Sequence, residues 1–184
     1  MTLNDLARTL PDYAKDLRLN LSSLLTEQGL TDQQKYGTIL ACAHAASYRP
    51  LIVAAEAEAD TKIAATAVNA AKAAASIMAM NNIYYRFLHL AANKEYATRP
   101  AKLRMNVIGA PGIDKADFEL FCLAVSAVNG CGMCIDAHEK VLLAAGMSLD
   151  TIQTAVRIAA VIHGIARSLQ ALPSLADPAG AAAV

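Results

Sequence analysis

Alanine-rich stretches such as Ala41–Ala46 and Ala70–Ala75 limit what this chain can fold into more than any other feature. Alanine is the best helix former and loses no side-chain entropy on ordering, and its small side chain lets helices approach closely. Strand signals do not accompany them, because β-branched residues are scattered and no stretch alternates apolar with polar for long. The expected class is all-α. At 184 residues, 55% hydrophobic and only 5% aromatic, the chain is long enough to bury most of its apolar surface in one helical domain spanning residues 1–184.

Start and stop signals divide it. An amphipathic segment begins near Pro11, runs through Leu17, Leu21, Leu24 and Leu25, and is stopped by Gly29. Thr31 with Gln34 three residues on reads as a capping box, and the helix it opens should end near Tyr48-Arg49-Pro50. Leu51 to Ala75 reads as two helices, and another begins at Ile77 and reaches Leu90. The last of these carries Asn81, Asn82, Tyr84, Tyr85 and Arg86 as polar handles, with Tyr84, Tyr85 and Arg86 suited equally to packing or a subunit contact. Residues 93–111, which contain Arg99-Pro100 and lead into Gly109-Ala110-Pro111-Gly112, are the best candidate linker. Asp114 or a neighbour then opens a helix through Phe118, Phe121, Cys122, Val125 and Val128 that breaks at Asn129-Gly130. The next starts around Cys131 and runs to Gly146. Ser148 caps a last helix through Ile152, Val156, Ala160 and Ile165, ending before Pro173, and the tail from Pro178 reads as frayed.

The sequence matches itself at an offset of 82 residues. Asp32 falls on Asp114, Tyr36 on Phe118 and Ile39 on Phe121, while Gly37 falls on Glu119, Arg49 on Cys131, Ile52 on Cys134 and Glu56 on His138. The expectation is a duplication with halves at about 30–95 and 112–172, of which only the second carries the reactive groups.

Sixteen basic residues balance 16 acidic ones, which leaves no electrostatic footprint for nucleic acid and no polybasic segment for an anionic membrane. Met1-Thr2-Leu3-Asn4-Asp5 lacks the basic start and apolar core of a signal peptide. The longest uncharged run, Leu120–Ile135, is interrupted by Asn129-Gly130, and no apolar run approaches the ~20 residues of a membrane span. A soluble cytoplasmic protein is expected. In that setting, two of the four cysteines arranged as C-x-x-C, Cys131 and Cys134, point to redox or metal chemistry rather than a disulfide scaffold.

Positions 131, 134 and 138 are three and four residues apart, so within a helix two thiols and an imidazole share a face. The break at Asn129-Gly130 places Cys131 near a helix start, where unpaired backbone N–H groups and the helix dipole favour a thiolate. Thiolates attack peroxides and disulfides. His138, one turn after Cys134, can take its proton. Glu119 stands among Phe118, Leu120 and Phe121, and a hairpin at Asn129-Gly130 would fold it back toward the site, where burial suits it to act as a base or acid. An exposed first-turn glutamate favoured by the dipole is the other reading. A zinc site of Cys131, Cys134 and His138 with Glu119 or Asp136 is an alternative for the cluster. Cys42 and Cys122 read as inert core thiols, and His44, His89 and His163 as isolated core or surface histidines. Spacing leaves open which cysteine attacks: helix-start placement favours Cys131, and adjacency to His138 favours Cys134.

Glu119, eleven residues, Cys131-x-x-Cys134, three residues and His138 together resemble the signature of the AhpD family, within the carboxymuconolactone decarboxylase-like superfamily. The resemblance covers nearly the whole chain, including its length, its duplicated all-α layout and a reactive half that comes second. It implies an antioxidant, thiol-dependent alkyl hydroperoxide reductase with no bound cofactor or metal. It further implies electrons from dihydrolipoamide carried on a lipoyl-bearing 2-oxoacid dehydrogenase component, and disulfide exchange that regenerates the peroxiredoxin AhpC. Carried over residue by residue, Cys134 attacks the peroxide and becomes a sulfenic acid, and Cys131 supplies a proton and then closes the disulfide. Glu119 and His138 form the proton relay, through a water. Family members form homo-oligomers, commonly built on trimers. One departure is Met133, where some members carry a second relay histidine; Gly132-Met133 is expected to tune pocket polarity and partner contacts instead. Rival readings are a ring-opening or decarboxylating enzyme of the wider superfamily without thiol turnover, and a non-catalytic zinc or redox-sensing module.

Overall fold

Local capping chemistry sets several of the helix starts in the computed structural model, which describes residues 1–172. Thr31 accepts from the Gln34 N–H while the Gln34 side chain accepts from the Thr31 N–H, and this reciprocal pair opens α3, Asp32–Ala46. Asp114 caps α7, Lys115–Asn129, and Ser148 caps α9, Leu149–Gln170. The segment expected from Pro11 is a 3₁₀ turn, Asp12–Ala14, followed by α2, Lys15–Thr26. Among the described residues the secondary structure is entirely helical. The helix end before Pro173 is reached at Gln170; the tail from Pro178 lies outside the described residues.

Three boundaries differ from the sequence reading. The third helix stops at Ala46, because Ser47 adopts the left-handed conformation (φ 57°). Arg49-Pro50 therefore opens α4, Arg49–Lys62, rather than closing α3, and a proline in the first helical turn forfeits no hydrogen bond. Nothing starts at Ile77: α5 is one helix, Ala65–Leu90. It contains neither glycine nor proline, and its alanines supply no break. A short α1, Leu3–Ala7, opened by a capping box between Thr2 and Asp5, was not anticipated; its Leu3 N–H donates to Glu58 on α4 at 2.9 Å.

The helices α3 and α7 form the centre and are covered by α5 and α9. Residues 39–43 of α3 and 120–125 of α7 are buried on every side, as expected of helices with no polar face. A Cβ on Gly37 would lie 2.2 Å from the Phe121 ring, so glycine is what allows these two helices their close approach. Gly37→Ala is expected to destabilise the fold by about 3 kcal/mol, the upper range for an overpacked core, read as a lower urea midpoint at unchanged slope.

Shifted by 82 residues, α3, α4 and α5 fall within two residues of the ends of α7, α8 (Gly132–Ala144) and α9. The two triplets carry different groups at matching positions. Gly37 stands where Glu119 does, and Glu56 where His138 does. Glu56 is bonded to Lys72 at 2.8 Å and to His44 at 3.2 Å, and the Lys72 ammonium holds its carboxyl below the ordinary range. Among the described residues no helix is long and apolar enough to cross a membrane.

Candidate active site

The turn between α7 and α8 is built by backbone geometry at a single glycine. Gly130 takes the left-handed conformation (φ 68°), which an L side chain would resist. Its N–H donates to Ala127 O at 3.2 Å and the Cys131 N–H to Ser126 O at 3.1 Å, the double closure of a Schellman motif. The chain reverses there, and Cys131 becomes the N-cap of α8 with Cys134 in its first turn. The two cysteines are paired as a disulfide with Cα atoms 5.4 Å apart, well inside the separation a disulfide spans. Both thus stand at the positive end of the α8 dipole, so helix-start placement does not choose between them. Both are buried, Cys131 at 0% and Cys134 at 5% exposure.

Because α7 and α8 form a hairpin, Glu119 returns to the site. Its Oε2 lies 2.6 Å from His138 Nδ1, with both side chains buried; the reading as an exposed first-turn glutamate does not hold. The hydrogen bond is short and shielded from water. The other imidazole nitrogen, Nε2, rests 3.2 Å from the Met78 thioether on α5. No hydrogen bond joins the imidazole to the Cys134 sulfur in this disulfide-paired form.

Helix α5 is pinned to the hairpin by polar side chains. Asn82 Nδ2 donates to Ser126 Oγ at 2.9 Å, Asn129 Nδ2 donates to Asn82 Oδ1 at 2.9 Å, and Arg86 Nη1 donates to the Asn129 carbonyl at 2.6 Å. Two turns of α5 then form a wall of a cleft of about 380 Å³ with Met78, Asn81 and Tyr85. Met105 and Ile108 close a second side, and Met133, Cys134 and His138 form the floor. Cys131 does not line it. The segment read as a linker is therefore part of the site: Val107 and Ile108 pack on the core, which holds Met105 over the cysteines' cleft. Inside this apolar lining the Asn81 Oδ1 is buried and finds no hydrogen-bond partner among the described residues, a situation that costs about 1–3 kcal/mol.

The remaining candidates fall away from the cleft. Burial pushes the thiols of Cys42 and Cys122 far above the ordinary cysteine range, with the Glu119 charge adding to the effect at Cys122, so neither supplies a thiolate. His44 pairs with Glu56, and His89 is exposed. Among the described residues no three histidine, cysteine, aspartate or glutamate side chains are arranged to hold a metal ion, and Asp136 is exposed.

Residues 94–177 match the model of the carboxymuconolactone decarboxylase family. Over 90% of its length the chain is 63% identical to the alkyl hydroperoxide reductase AhpD of Rhizorhabdus wittichii, covering 96% of that protein. It is 60% identical over 93% of its length to the protein of the same name from Rhodopseudomonas palustris strain BisA53, and 59% identical over 93% to that of Brucella anthropi, covering 94% and 98% of them. The chain belongs to the AhpD family of alkyl hydroperoxide reductases. The AhpD signature read from the sequence thus lies at one place in the fold, with Glu119 on His138 and Cys131 on Cys134. What that reading missed is the opposing wall. Met78, Asn81 and Tyr85 recur at i, i+3 and i+7 on α5, and this stripe was the available signal. Nothing comparable in the sequence marks Met105 and Ile108.

Proposed function

We propose that this AhpD-family chain reduces alkyl hydroperoxides by cycling Cys131 and Cys134 between dithiol and disulfide. The observation that carries the reading is the placement of Cys134. It lies in the floor of an apolar cleft, beside the hydrogen-bonded His138–Glu119 pair and bonded to Cys131. In the reduced protein Glu119 and His138 draw the Cys134 proton, through a water in the cleft, and leave a thiolate favoured by the α8 dipole. The thiolate attacks the terminal peroxide oxygen and the O–O bond breaks. Cys134 becomes a sulfenic acid and an alkoxide leaves, taking a proton to become the alcohol. Cys131 then attacks the sulfenic sulfur, releasing water and closing the disulfide.

Dihydrolipoamide, free or on a lipoyl-bearing 2-oxoacid dehydrogenase component, restores both thiols by disulfide exchange and leaves as lipoamide. The same exchange reduces the peroxiredoxin AhpC. Met133, partly exposed at the cleft floor, would meet such partners where a relay histidine is absent. Exposed Leu90, Leu149 and Ile83 suit a homo-oligomer built on trimers, working in the cytoplasm.

A thiol count tests this reading. The reduced protein should show four thiols and lose two on treatment with an alkyl hydroperoxide, mapped to Cys131 and Cys134, and dihydrolipoamide should return them. Cys42 and Cys122 should stay unmodified throughout. A count that stays at four would overturn the proposal. Full activity in a protein lacking both cysteines would move it to thiol-free chemistry, and stoichiometric zinc to a metal module.

A further inference from the structure

Two adjacent asparagines on α5 have opposite surroundings. Asn82 is bonded to Ser126 and Asn129 and holds the helix to the hairpin. Asn81 is 3% exposed, and its Oδ1 has no partner among the described residues, yet it lines the cleft that Cys134 and His138 share. The other polar groups there are accounted for. The His138 nitrogens face Glu119 and Met78, and the Tyr85 hydroxyl faces the Met105 sulfur at 4.0 Å. An unpaired buried amide beside a reactive sulfur is a group a ligand can satisfy.

We propose that the Asn81 carboxamide binds the polar end of the hydroperoxide and orients it for attack by Cys134; this rests on the peroxide-reducing function proposed above. A hydroperoxide has an apolar body, one O–H donor and two oxygens, and the remainder of the cleft offers it thioethers and carbon. On binding, the carboxamide turns to bring its buried Oδ1 to the cleft, where it accepts from the terminal O–H and aims that oxygen at the sulfur. Nδ2, on the same planar group, donates to the proximal oxygen. As the new S–O bond forms and the O–O bond breaks, the electron pair stays on the proximal oxygen, which leaves as alkoxide and takes a proton from the His138 imidazolium. The Nδ2–H therefore meets charge that develops only in the transition state, the arrangement that accelerates a reaction rather than merely tightening binding. The O–H requirement also makes hydroperoxides better substrates than dialkyl peroxides.

The test uses the full-length reduced protein and its Asn81→Leu variant, each mixed rapidly with cumene hydroperoxide and, separately, with an aryl disulfide such as dithionitrobenzoate. The variant should react about 10²–10³-fold more slowly with the peroxide and at the wild-type rate with the aryl disulfide. Its melting temperature should hold or rise, since an unpaired amide gives way to an apolar side chain of similar shape. Equal peroxide rates would overturn the proposal. So would parallel losses with both reagents and a lowered melting temperature, which would make Asn81 a structural residue. Asn81→Ala, which cannot overfill the cleft, decides in the same way if the leucine variant does not fold. Failure of the underlying function is seen separately, as wild-type protein that loses no thiols to cumene hydroperoxide.

Discussion

Serine in place of Cys134 is expected to lower lipoamide-dependent peroxide reduction by at least about 10³-fold, the scale on which loss of a covalent nucleophile is felt. A hydroxyl is not ionised at neutral pH and does not attack the O–O bond. Replacing Cys131 should have a different signature. Cys131→Ser should still react once with peroxide, retaining one added oxygen as a sulfenic acid on Cys134 that mass spectrometry can locate, and then stop because nothing resolves it. The asymmetry follows from access: Cys134 lines the cleft, whereas Cys131 is wholly buried at the N-cap of α8. Wild-type turnover by the Cys134 variant, or a sulfenic acid trapped on Cys131 in the Cys134 variant, would reverse the assignment.

Glu119→Gln is expected to cost about 10²–10⁴-fold in peroxide reduction, the range seen when a buried acid–base partner is removed. The carboxylate can only accept, so it holds the His138 proton on Nδ1 and leaves Nε2 to exchange protons with the cleft. A carboxamide can present its own N–H to Nδ1 instead, which would select the other tautomer. The change is close to isosteric, so the melting temperature should change far less than the rate. The pH dependence of kcat/KM should also change shape, which a purely structural role for Glu119 would not produce. A variant with the wild-type rate and profile would remove the carboxylate from the mechanism.

The parts of this molecule that were legible from residues alone are those that short-range chemistry decides. Thr31 with Gln34, Asp114 and Ser148 each announce a helix start, because the orphan N–H groups of that turn need an acceptor within three residues. Gly130 announces the reversal that makes Cys131 an N-cap. The four-residue spacing of Cys134 and His138 puts them on one face of α8, with Cys131 at its N-cap. The offset of 82 residues also appears in the helix boundaries, since matched caps and breaks produce matched helices.

Packing decided the rest. An alanine-rich helix such as α5 is weakly patterned, so the sequence neither showed that it runs unbroken past Ile77 nor which side would face the site. Whether Glu119 would be a solvated charge or the partner of His138 depended on the hairpin closing nineteen residues of chain. Met78 meets His138 across a separation of 60 residues, and Met105 joins them from a stretch that reads as a linker. Asn81 and Asn82 are identical side chains one position apart. About 100° of helix rotation separates them, and that rotation points one at Ser126 and the other into the cleft. The chain itself specified which groups could react; the docking of α5 and the 105–108 segment onto α8 set what surrounds them, because burial and partnership are properties of distant surfaces brought together.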